Sequence, residues 1–464
     1  MRIPLPSKPG RNFLLLSFAR RFAAAALRLS GAEMPRFGLA AGVLSVAALG
    51  ASVAHADDAA DAAAAASSLP AWIATFATET HFYSWQSTRG YPTSGSTERG
   101  SGAEIYTPFA FQVSGHPNEN FKVEFLIRGG WVDAWQSTPG LSGQVSTVTD
   151  TVTSGTVTYL GLNGLQPFVS LNTNIPTGQS ALYGAAAHAR MDPDLVGLAT
   201  FGEGFNVGPT IGVNIPFTSN FMATLGVGYT WHGQFVQEST QSLEPPMAQA
   251  PTTVKPGSDL TFTGALAYAS GNVSTNLTGS ISTSTTTDIN GLAYFRAGTR
   301  YLLSGSVSYR WSPTLGVSTL KASAAHSDDN DVQFLGVSGL IEEPFDTNSN
   351  VFTVGIQHLF PAGKFAIGPS VSYLVRDHNG YNPDTLQFVP AKRNYTAGVL
   401  AQYSAGGHVT FNAELDHVWT NEDDNPAPGG SKESVFANSH LPATYIPAVS
   451  SVAWQGSIGM NVSF

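Results

Sequence analysis

The chain has 464 residues, of which only 12% are charged, and it contains no cysteine. A water-soluble protein of ordinary composition carries about 25% charged residues, so this composition argues against a soluble enzyme. The 32 acidic residues outnumber the 22 basic ones, which argues against a nucleic-acid partner. The absence of cysteine excludes a disulfide scaffold.

The N-terminal region has the pattern of an export signal. Arg36 supplies a positive charge, residues 37–53 are apolar, and Ala54-His55-Ala56 forms an A-x-A cleavage site. We therefore expect residues 1–56 to be a secretory signal peptide, with Met34 as an alternative start.

The segment that follows, residues 57–70, is low-complexity Ala, Asp and Ser, and we expect it to be disordered. Residues 1–56 hold seven Lys or Arg and one Glu. The remaining chain therefore carries 15 basic and 31 acidic residues and a net charge of −16. We expect residues 71–464 to form one domain.

Apolar and polar residues alternate along that domain with a period of two. In residues 121–135, FKVEFLIRGGWVDAW, the odd positions are largely apolar, whereas the even positions include Lys122, Glu124 and Arg128. Such alternation predicts a β-strand with one apolar and one polar face. The same pattern recurs at residues 205–217, 221–235, 295–311, 365–376, 409–419 and 452–464.

The linkers between these strands alternate between short turns and long polar loops, which is typical of an outer-membrane barrel. We predict an all-β, antiparallel transmembrane β-barrel of about 16 strands, with 14 to 18 as the range. Short turns would face the periplasm and long loops the exterior. A soluble β-sandwich or solenoid also has alternating strands, but the charged polar face is too bulky for its small core.

Aromatic residues cluster at both ends of the predicted strands. Tyr and Trp favour the level of the lipid headgroups, because their rings are apolar and their O–H or N–H groups need polar partners. A preference of aromatic residues for strands in general would not explain clustering at the ends. The predicted interface residues are Trp135, Trp231, Trp419 and Trp454 beside long loops, and Trp311 and Phe464 at the turn end.

The last strand, VAWQGSIGMNVSF, resembles the C-terminal signature of bacterial outer-membrane barrels, which alternates apolar residues and ends on Phe. The resemblance implies recognition by the barrel-assembly machinery and pairing with the first strand, near residues 72–84. In that first strand, Phe76 and Phe82 favour an even-numbered outer face, whereas Tyr83 and Trp85 favour the opposite face.

A second, looser resemblance involves TVTYLGLNGLQPFVSLNTNIPTG followed by FGEGFNVGPTIGVNIPFTSNFMATLGVGYT. Both stretches are similar to outer-membrane proteins associated with the meta-pathway of phenol degradation, in which a Pro-Thr-Gly follows a strand, as Pro176-Thr177-Gly178 does here. This resemblance implies passage of a small solute, aromatic or hydrophobic in character.

The polar faces of the strands supply the candidate pore-lining residues. By strand parity they are Glu104, Lys122, Glu124, Arg128, Arg296, Arg300, Arg310, Lys321, Arg376, Lys392, Glu414 and Asp416. Arg296, Arg300, Arg310 and Lys321 are expected to form a basic wall that sets ion preference, or else to pair with acids in a wet interior. Residues 180–202 are Ala-rich and are expected either to fold into the pore or to cap it.

The sequence contains only weak matches to catalytic motifs. Ser318 and Lys321 match S-x-x-K, but that motif requires a helix, and residues three apart on a strand face opposite ways. Asp416 and His417 are adjacent and also face apart. The acids of DDND (328–331) and EDD (422–424) are more consistent with solvated loops than with a metal site. We expect no enzymatic activity, no cofactor and no metal.

These observations predict an outer-membrane channel for passive or facilitated passage of small solutes. The alternatives are a structural or adhesive barrel without a channel and, less favoured, a barrel enzyme. The expected location is the outer membrane of a Gram-negative cell. The expected partners are outer-membrane lipid and lipopolysaccharide, the assembly machinery and a small solute. A homo-oligomer is left open.

Overall fold

The computed structural model describes residues 72–88, 99–138, 141–162, 164–191, 195–237, 252–333, 338–343, 350–381, 388–424 and 448–464. The predicted signal peptide, its cleavage site at Ala54 and Ala56, and the low-complexity segment lie outside the described residues. Among the described residues, no helix is long and apolar enough to cross a membrane.

The chain forms a closed antiparallel barrel of 16 strands, as the sequence predicts. The barrel strands are β1 (Ile73–Ser87), β2 (Gly100–Asn118), β3 (Phe121–Thr138), β4 (Leu141–Val148), β5 (Thr151–Tyr159), β6 (Gln166–Ile175), β7 (Asn206–Thr218), β8 (Phe221–His232), β11 (Asp259–Ser270), β12 (Val273–Ser284), β15 (Arg300–Ser312), β16 (Gly316–Ser327), β19 (Val351–Ala362), β20 (Phe365–Arg376), β21 (Lys392–Gly406), β22 (Val409–Glu422) and β23 (Val449–Ser463). β4 and β5 are two halves of the fourth strand. β1 pairs with both β2 and β23, and Thr75 lies opposite Ser463, which closes the sheet.

The two ends of the barrel differ in how the strands are joined. At one end, called the turn end here, tight turns join neighbouring strands, as at residues 119–120, 219–220, 271–272, 313–315, 363–364 and 407–408. Gly271 and Gly363 have positive φ angles of 55° and 68°, a conformation that residues with a Cβ rarely adopt. At the other end, the loop end, the connections are longer.

The outer face of the wall is apolar. Exposed aromatic and aliphatic side chains alternate with inward-facing polar ones along each strand, and Ile458 of β23 is 71% exposed. In β1, Ser84 lies opposite the outward Trp454, so even-numbered residues face outward. Phe82 is accordingly exposed, whereas Trp85 is buried inside the barrel, which resolves the ambiguity of the first strand.

A small six-stranded sheet stands beyond the loop end. It consists of β9 (Phe235–Gln237), β10 (Thr252–Lys255), β13 (Thr287–Ile289), β14 (Leu292–Arg296), β17 (Asp331–Gln333) and β18 (Leu340–Glu342). Its strands are the tips of three successive connections between barrel strands β8 and β19. Short stretches of chain that belong to no strand connect the small sheet to the barrel wall.

The fourth barrel strand is interrupted at Thr149 and Asp150. Below the interruption β5 pairs with both β3 and β6, whereas above it β4 pairs with β3 alone. The free side of β4 is covered by a short 3-10 helix, Gly184–Ala189. A Cβ at Gly143 of β4 would lie 2.2 Å from the carbonyl carbon of His188, so only glycine allows this close approach.

The 3-10 helix belongs to a segment folded into the barrel, residues 176–191 and 195–205, which we call the inner segment. Its apolar side chains are buried against inward-facing residues of the wall. The segment contributes Leu182, Ala189, Met191, Leu195, Val196 and Phe201, and the wall contributes Trp85, Val132, Ala134, Val145, Val418 and Ala453. Of the two arrangements expected for residues 180–202, the structure shows the inward one.

Candidate functional site in the barrel lumen

Most of the predicted pore-lining residues lie on inward-facing positions of the barrel wall. Lys122 donates to Glu124 at 3.0 Å near the turn end, and Arg128 lies further along the same strand. Glu104 is fully buried, and one of its carboxylate oxygens accepts a hydrogen bond of 3.0 Å from the backbone N–H of Leu198 in the inner segment. The structure therefore places Glu104 beneath the inner segment rather than on an open channel surface.

Arg296 differs from the expectation. It lies in β14 of the small outer sheet, where it forms an ion pair with Asp331, and its side chain is more than half exposed. The alternation of apolar and polar residues continues from the barrel into this sheet. The alternation therefore places Arg296 on a polar face but does not show that its strand lies outside the barrel wall. The basic wall is therefore reduced to Arg300, Arg310 and Lys321.

These three cations are spread along the lumen. Arg300 and Arg310 occupy opposite ends of β15, and Lys321 lies near the middle of β16. Arg300 is held at the loop end by the carboxylate of Asp259 at 3.2 Å, and His232 contacts the same carboxylate at 3.3 Å. Arg300 is thus part of a charge-balanced cluster.

A buried ion pair closes another part of the loop end. Nη2 of Arg376 donates to Oε1 of Glu422 at 2.9 Å, and their side chains are only 5% and 3% exposed. Lys392 is also buried, and on β21 it lies directly opposite Arg376 of β20 and Glu422 of β22. A buried guanidinium and carboxylate need one another, because neither is hydrated.

Glu414 and Asp416 face the middle of the lumen, whereas His417 faces outward between Trp419 and Trp454. Both acids line a groove of about 210 Å³, together with Lys321 of β16 in the same part of the wall. Ser370 donates to Asp416 at 3.1 Å. The predicted opposite orientation of Asp416 and His417 is what the structure shows.

The charge in the lumen is distributed unevenly around the barrel. Six successive strands, β5 to β8, β11 and β12, contain no Lys, Arg or Glu, and their one Asp, Asp259, lies at the loop end. Most of their inward positions carry Ser, Thr, Asn or Gly, with side chains that are largely half-buried, and Phe168 has the one phenyl ring among them. We call this part of the wall the uncharged arc. The remaining strands carry the inward-facing charges.

One carboxylate at the strand interruption holds both ends of the inner segment. Asp150 accepts hydrogen bonds from the backbone N–H of Gly178 at 2.9 Å and of Glu203 at 2.8 Å. It also accepts one from Nδ2 of Asn174 at 2.7 Å. A Cβ at Gly178 would lie 1.8 Å from the carbonyl oxygen of Phe201, so the two ends of the segment approach as only glycine permits.

Glu203 itself is a buried acid in the inner segment. Its carboxylate accepts a hydrogen bond from Thr200 at 3.2 Å. Burial raises the pKa of Glu203, and the nearby negative charge of Asp150 raises it further. Neither Asp150 nor Glu203 is among the residues expected from the sequence, because nothing in the pattern marks the strand interruption.

A cavity of about 320 Å³ lies under the inner segment. Leu198 and Phe201 of the segment form one side, and residues of β1, β2 and β3 form the other, including Glu79, Tyr106 and Arg128. The ring of Tyr106 lies against Gly130 of the wall, where a Cβ would come within 2.6 Å of the ring.

The weak catalytic patterns form no catalytic group. Ser318 faces outward, where it contacts Nδ1 of His358 at 2.7 Å and accepts from Trp311 at 2.8 Å, whereas Lys321 faces inward. The acids of the two loop runs instead contact neighbouring side chains: Asp328 contacts Tyr301, Asp331 pairs with Arg296, Glu422 with Arg376, and Asp423 with Arg393.

The outward-facing aromatic residues indicate the environment of the barrel. Trp135, Trp231, Trp419 and Trp454 all face outward near the loop end, and Trp311 and Phe464 face outward at the turn end. A closed barrel with an apolar band between two aromatic girdles satisfies every backbone polar group within lipid. This is an outer-membrane β-barrel.

Comparisons with known proteins add solved structures of similar fold. No protein-family model matches the chain, and no curated protein matches its sequence. An outer-membrane channel from Pseudomonas putida F1 is 12% identical, with 63% of this chain and 96% of that one covered and a TM-score of 0.36. A Pseudomonas aeruginosa FadL homologue is 9% identical, with 84% and 90% covered and a TM-score of 0.40.

An anion-selective porin from Comamonas acidovorans is 11% identical, with 85% of this chain and 99% of that one covered and a TM-score of 0.37. Similarity at this level carries no information on the function of this barrel.

Proposed function

We propose that this barrel is an outer-membrane channel for small solutes and that the solutes pass along the uncharged arc, beside the inner segment. The observation that supports this path is the partial exposure of the inward Ser, Thr and Asn side chains on six successive strands. The apolar core of the inner segment packs against the opposite side, on β1 to β4, β22 and β23. Passage of a solute along the arc requires no chemical conversion of that solute.

Hydroxyl and amide groups suit the passage of small polar solutes, because they replace water contacts without holding a charge tightly. The aromatic solutes implied by the sequence resemblance remain part of this proposal. The support for them is the cavity beneath the inner segment, where Tyr106 and Phe201 supply aromatic walls. We further propose that the barrel contacts outer-membrane lipid, is inserted by the barrel-assembly machinery and forms a homo-oligomer.

Ion selectivity tests the channel. We expect Arg310→Glu combined with Lys321→Glu to shift the reversal potential under a salt gradient toward cation selectivity in planar bilayers. Both side chains face the lumen, so reversing their charges changes the potential that a permeating ion experiences. Absence of any conductance from folded, purified protein would refute the channel.

The small outer sheet offers a control with the same charge change. Lys255 and Arg296 lie there, beyond the barrel wall, and both are exposed. We expect Lys255→Glu combined with Arg296→Glu to leave the reversal potential nearly unchanged. An equal shift from both pairs would contradict a selectivity set inside the lumen.

A surface-binding role is the second candidate. The outer sheet exposes Leu292 and Ile341 beyond the loop end. Folded protein without conductance, and liposomes that do not swell in any small solute, would favour this role over transport.

A further inference from the structure

Three polar side chains form a row across the loop end of the uncharged arc. Asn206 of β7 lies directly opposite both Asn174 of β6 and His232 of β8, and all three are on the inward face. Each end of this polar row contacts a carboxylate. Asn174 donates to Asp150 at 2.7 Å, and Nε2 of His232 lies 3.3 Å from an oxygen of Asp259. The polar row therefore extends from the carboxylate that holds the inner segment to the charged cluster at Asp259.

The polar row is interrupted at Asn206. This residue is only 8% exposed, and its Oδ1 is enclosed without a hydrogen-bond donor among the described residues. A buried carbonyl oxygen without a donor is costly and therefore rare in folded proteins, so it needs an explanation.

Of the two neighbours of Asn206 in the row, only His232 can supply the missing donor. The amide of Asn174 already donates to Asp150 and to the carbonyl of Gly204, at 2.7 and 2.6 Å. Residues directly opposite one another on one face of a sheet have Cβ atoms about 5 Å apart, which places the ring of His232 beside the side chain of Asn206.

The contact with Asp259 determines which ring nitrogen of His232 carries the proton. A carboxylate only accepts hydrogen bonds, so Nε2 is the donor. In the neutral ring Nδ1 then has no hydrogen. Nδ1 and Oδ1 of Asn206 are both acceptors in that state, and no hydrogen bond can join them. In the protonated ring both nitrogens are donors, and Nδ1 can donate to Asn206.

We propose that His232 is a proton-operated link at the loop end of the arc. When the ring takes up a proton, Nδ1–H donates to Oδ1 of Asn206 and the two parts of the polar row become one. The start of β7, where the inner segment ends, is then held to β8. A hydrogen bond that requires the protonated ring is present at low pH and is lost as the pH rises.

His232 is the one histidine on the six strands of the arc. Histidine is the side chain that ordinarily changes its charge between about pH 5 and 8. Arg300 of β15 donates to the second oxygen of Asp259 at 3.2 Å. On the side of the inner segment, the charge of Glu203 acts on His232. The described charged groups around the ring also include Asp150 and Arg190, which act on Glu203: Arg190 at the inner segment and Asp150 at the strand interruption.

Hydrogen exchange of the first residues of β7 tests the link without conductance. In the full, folded barrel in detergent, peptides covering residues 206–212 should exchange about tenfold more slowly at about pH 5.5 than at about pH 7.5, after correction for the intrinsic rate. One hydrogen bond from a charged donor produces an effect of this size. Peptides from β20, which contains no histidine, should show no such change.

Four variants separate the link from a general effect of pH. His232→Gln removes the titrating ring and Asn206→Leu removes the acceptor, so each should abolish the pH dependence of exchange in residues 206–212. Asn206→Asp keeps an acceptor and should retain it. Glu203→Gln, which removes the acid near His232, should also retain it. Heat-modifiable migration on gels verifies that each variant is folded.

Regulation of the channel by this link rests on the proposed function, because His232 lies at the loop end of the proposed path. Lowering the pH from about 7.5 to about 5.5 should shift the reversal potential toward anion preference, and the shift should be smaller in His232→Gln, which gains no charge there. An equal shift in both proteins would contradict this regulation. The expected exchange in a barrel without conductance would support the link and refute only the channel.

Two results would overturn the link itself. The first is equal exchange of residues 206–212 at the two pH values in the unmodified barrel. The second is an undiminished pH dependence in folded His232→Gln or folded Asn206→Leu.

Discussion

Replacing Asp150 by alanine is expected to release the inner segment from the barrel wall. The carboxylate receives two backbone N–H groups, from Gly178 and Glu203, which lie at the two ends of the segment. Asn174, the third donor, also donates to the carbonyl of Gly204 at 2.6 Å and so retains a partner after the substitution. The cost therefore comes mainly from the two backbone donors.

The magnitude follows from those two bonds. A hydrogen bond to a charged group contributes about 1.5–3 kcal/mol. Asp150 is only half-buried and water can replace part of the loss, so we take the lower value for each bond and expect about 3 kcal/mol in total. Since about 1.4 kcal/mol corresponds to a tenfold change, the opening equilibrium of the segment should rise about 100-fold.

Hydrogen–deuterium exchange with mass spectrometry measures this opening directly. Peptides from residues 176–205 should exchange about 100-fold faster in Asp150→Ala, whereas peptides from β19 to β21, which do not contribute to the core of the inner segment, should be unaffected, because the change is local. Asp423→Ala is the matched control, since its exposed carboxylate pairs with Arg393 on the outer side of the barrel. Exchange in residues 176–205 should not change in that variant.

Two results would refute the reasoning. Unchanged exchange in residues 176–205 of Asp150→Ala would mean that the apolar core alone holds the segment. Equally faster exchange throughout the barrel would mean that Asp150 stabilises the whole wall and not the segment.

Two further predictions concern buried charges. Burial, aided by the negative charge of Asp150, raises the pKa of Glu203 above its ordinary 4.5, so packing of the inner segment should weaken as pH rises from 4.5 through the raised pKa. Hydrogen exchange of the segment, corrected for the intrinsic rate, should accelerate over that pH range. The substitution Glu203→Gln should remove this pH dependence. Arg376→Met should lower the free energy of unfolding by about 3 kcal/mol in urea titrations, the lower end for a broken buried pair, because Glu422 loses its guanidinium while the buried Lys392 stays opposite it. Arg393→Met, which breaks an exposed pair, should cost at most about 1 kcal/mol, and equal losses would contradict the role of burial.

Much of the fold could be predicted from the alternation of residues. Apolar residues at every second position specify a wall with a lipid face, and the linker lengths distinguish the two ends, so the strand number and the orientation of Asp416 and His417 followed directly. Lipid imposes this regularity, because each strand must bury its backbone groups in the sheet and expose apolar side chains.

The interior of the barrel was harder to predict, because it depends on contacts between distant residues. In β3, Val132 and Ala134 are apolar although they face inward, as is Trp85 in β1, and such departures from alternation signal that the inner segment packs there. Asp150 lies in a Thr- and Ser-rich stretch, where no pattern marks the interruption. Arg296 was misplaced because a five-residue strand beyond the wall alternates in the same way as one within it.

The uncharged arc and the charged strands opposite it form the two sides of one pore. A pore with most of its fixed charges on one side has an electric field directed across its axis, in addition to any field along it. Such a field turns a dipolar molecule as it passes and draws ions toward one wall. Molecules of equal size and net charge would then differ in transit time according to their dipole moments.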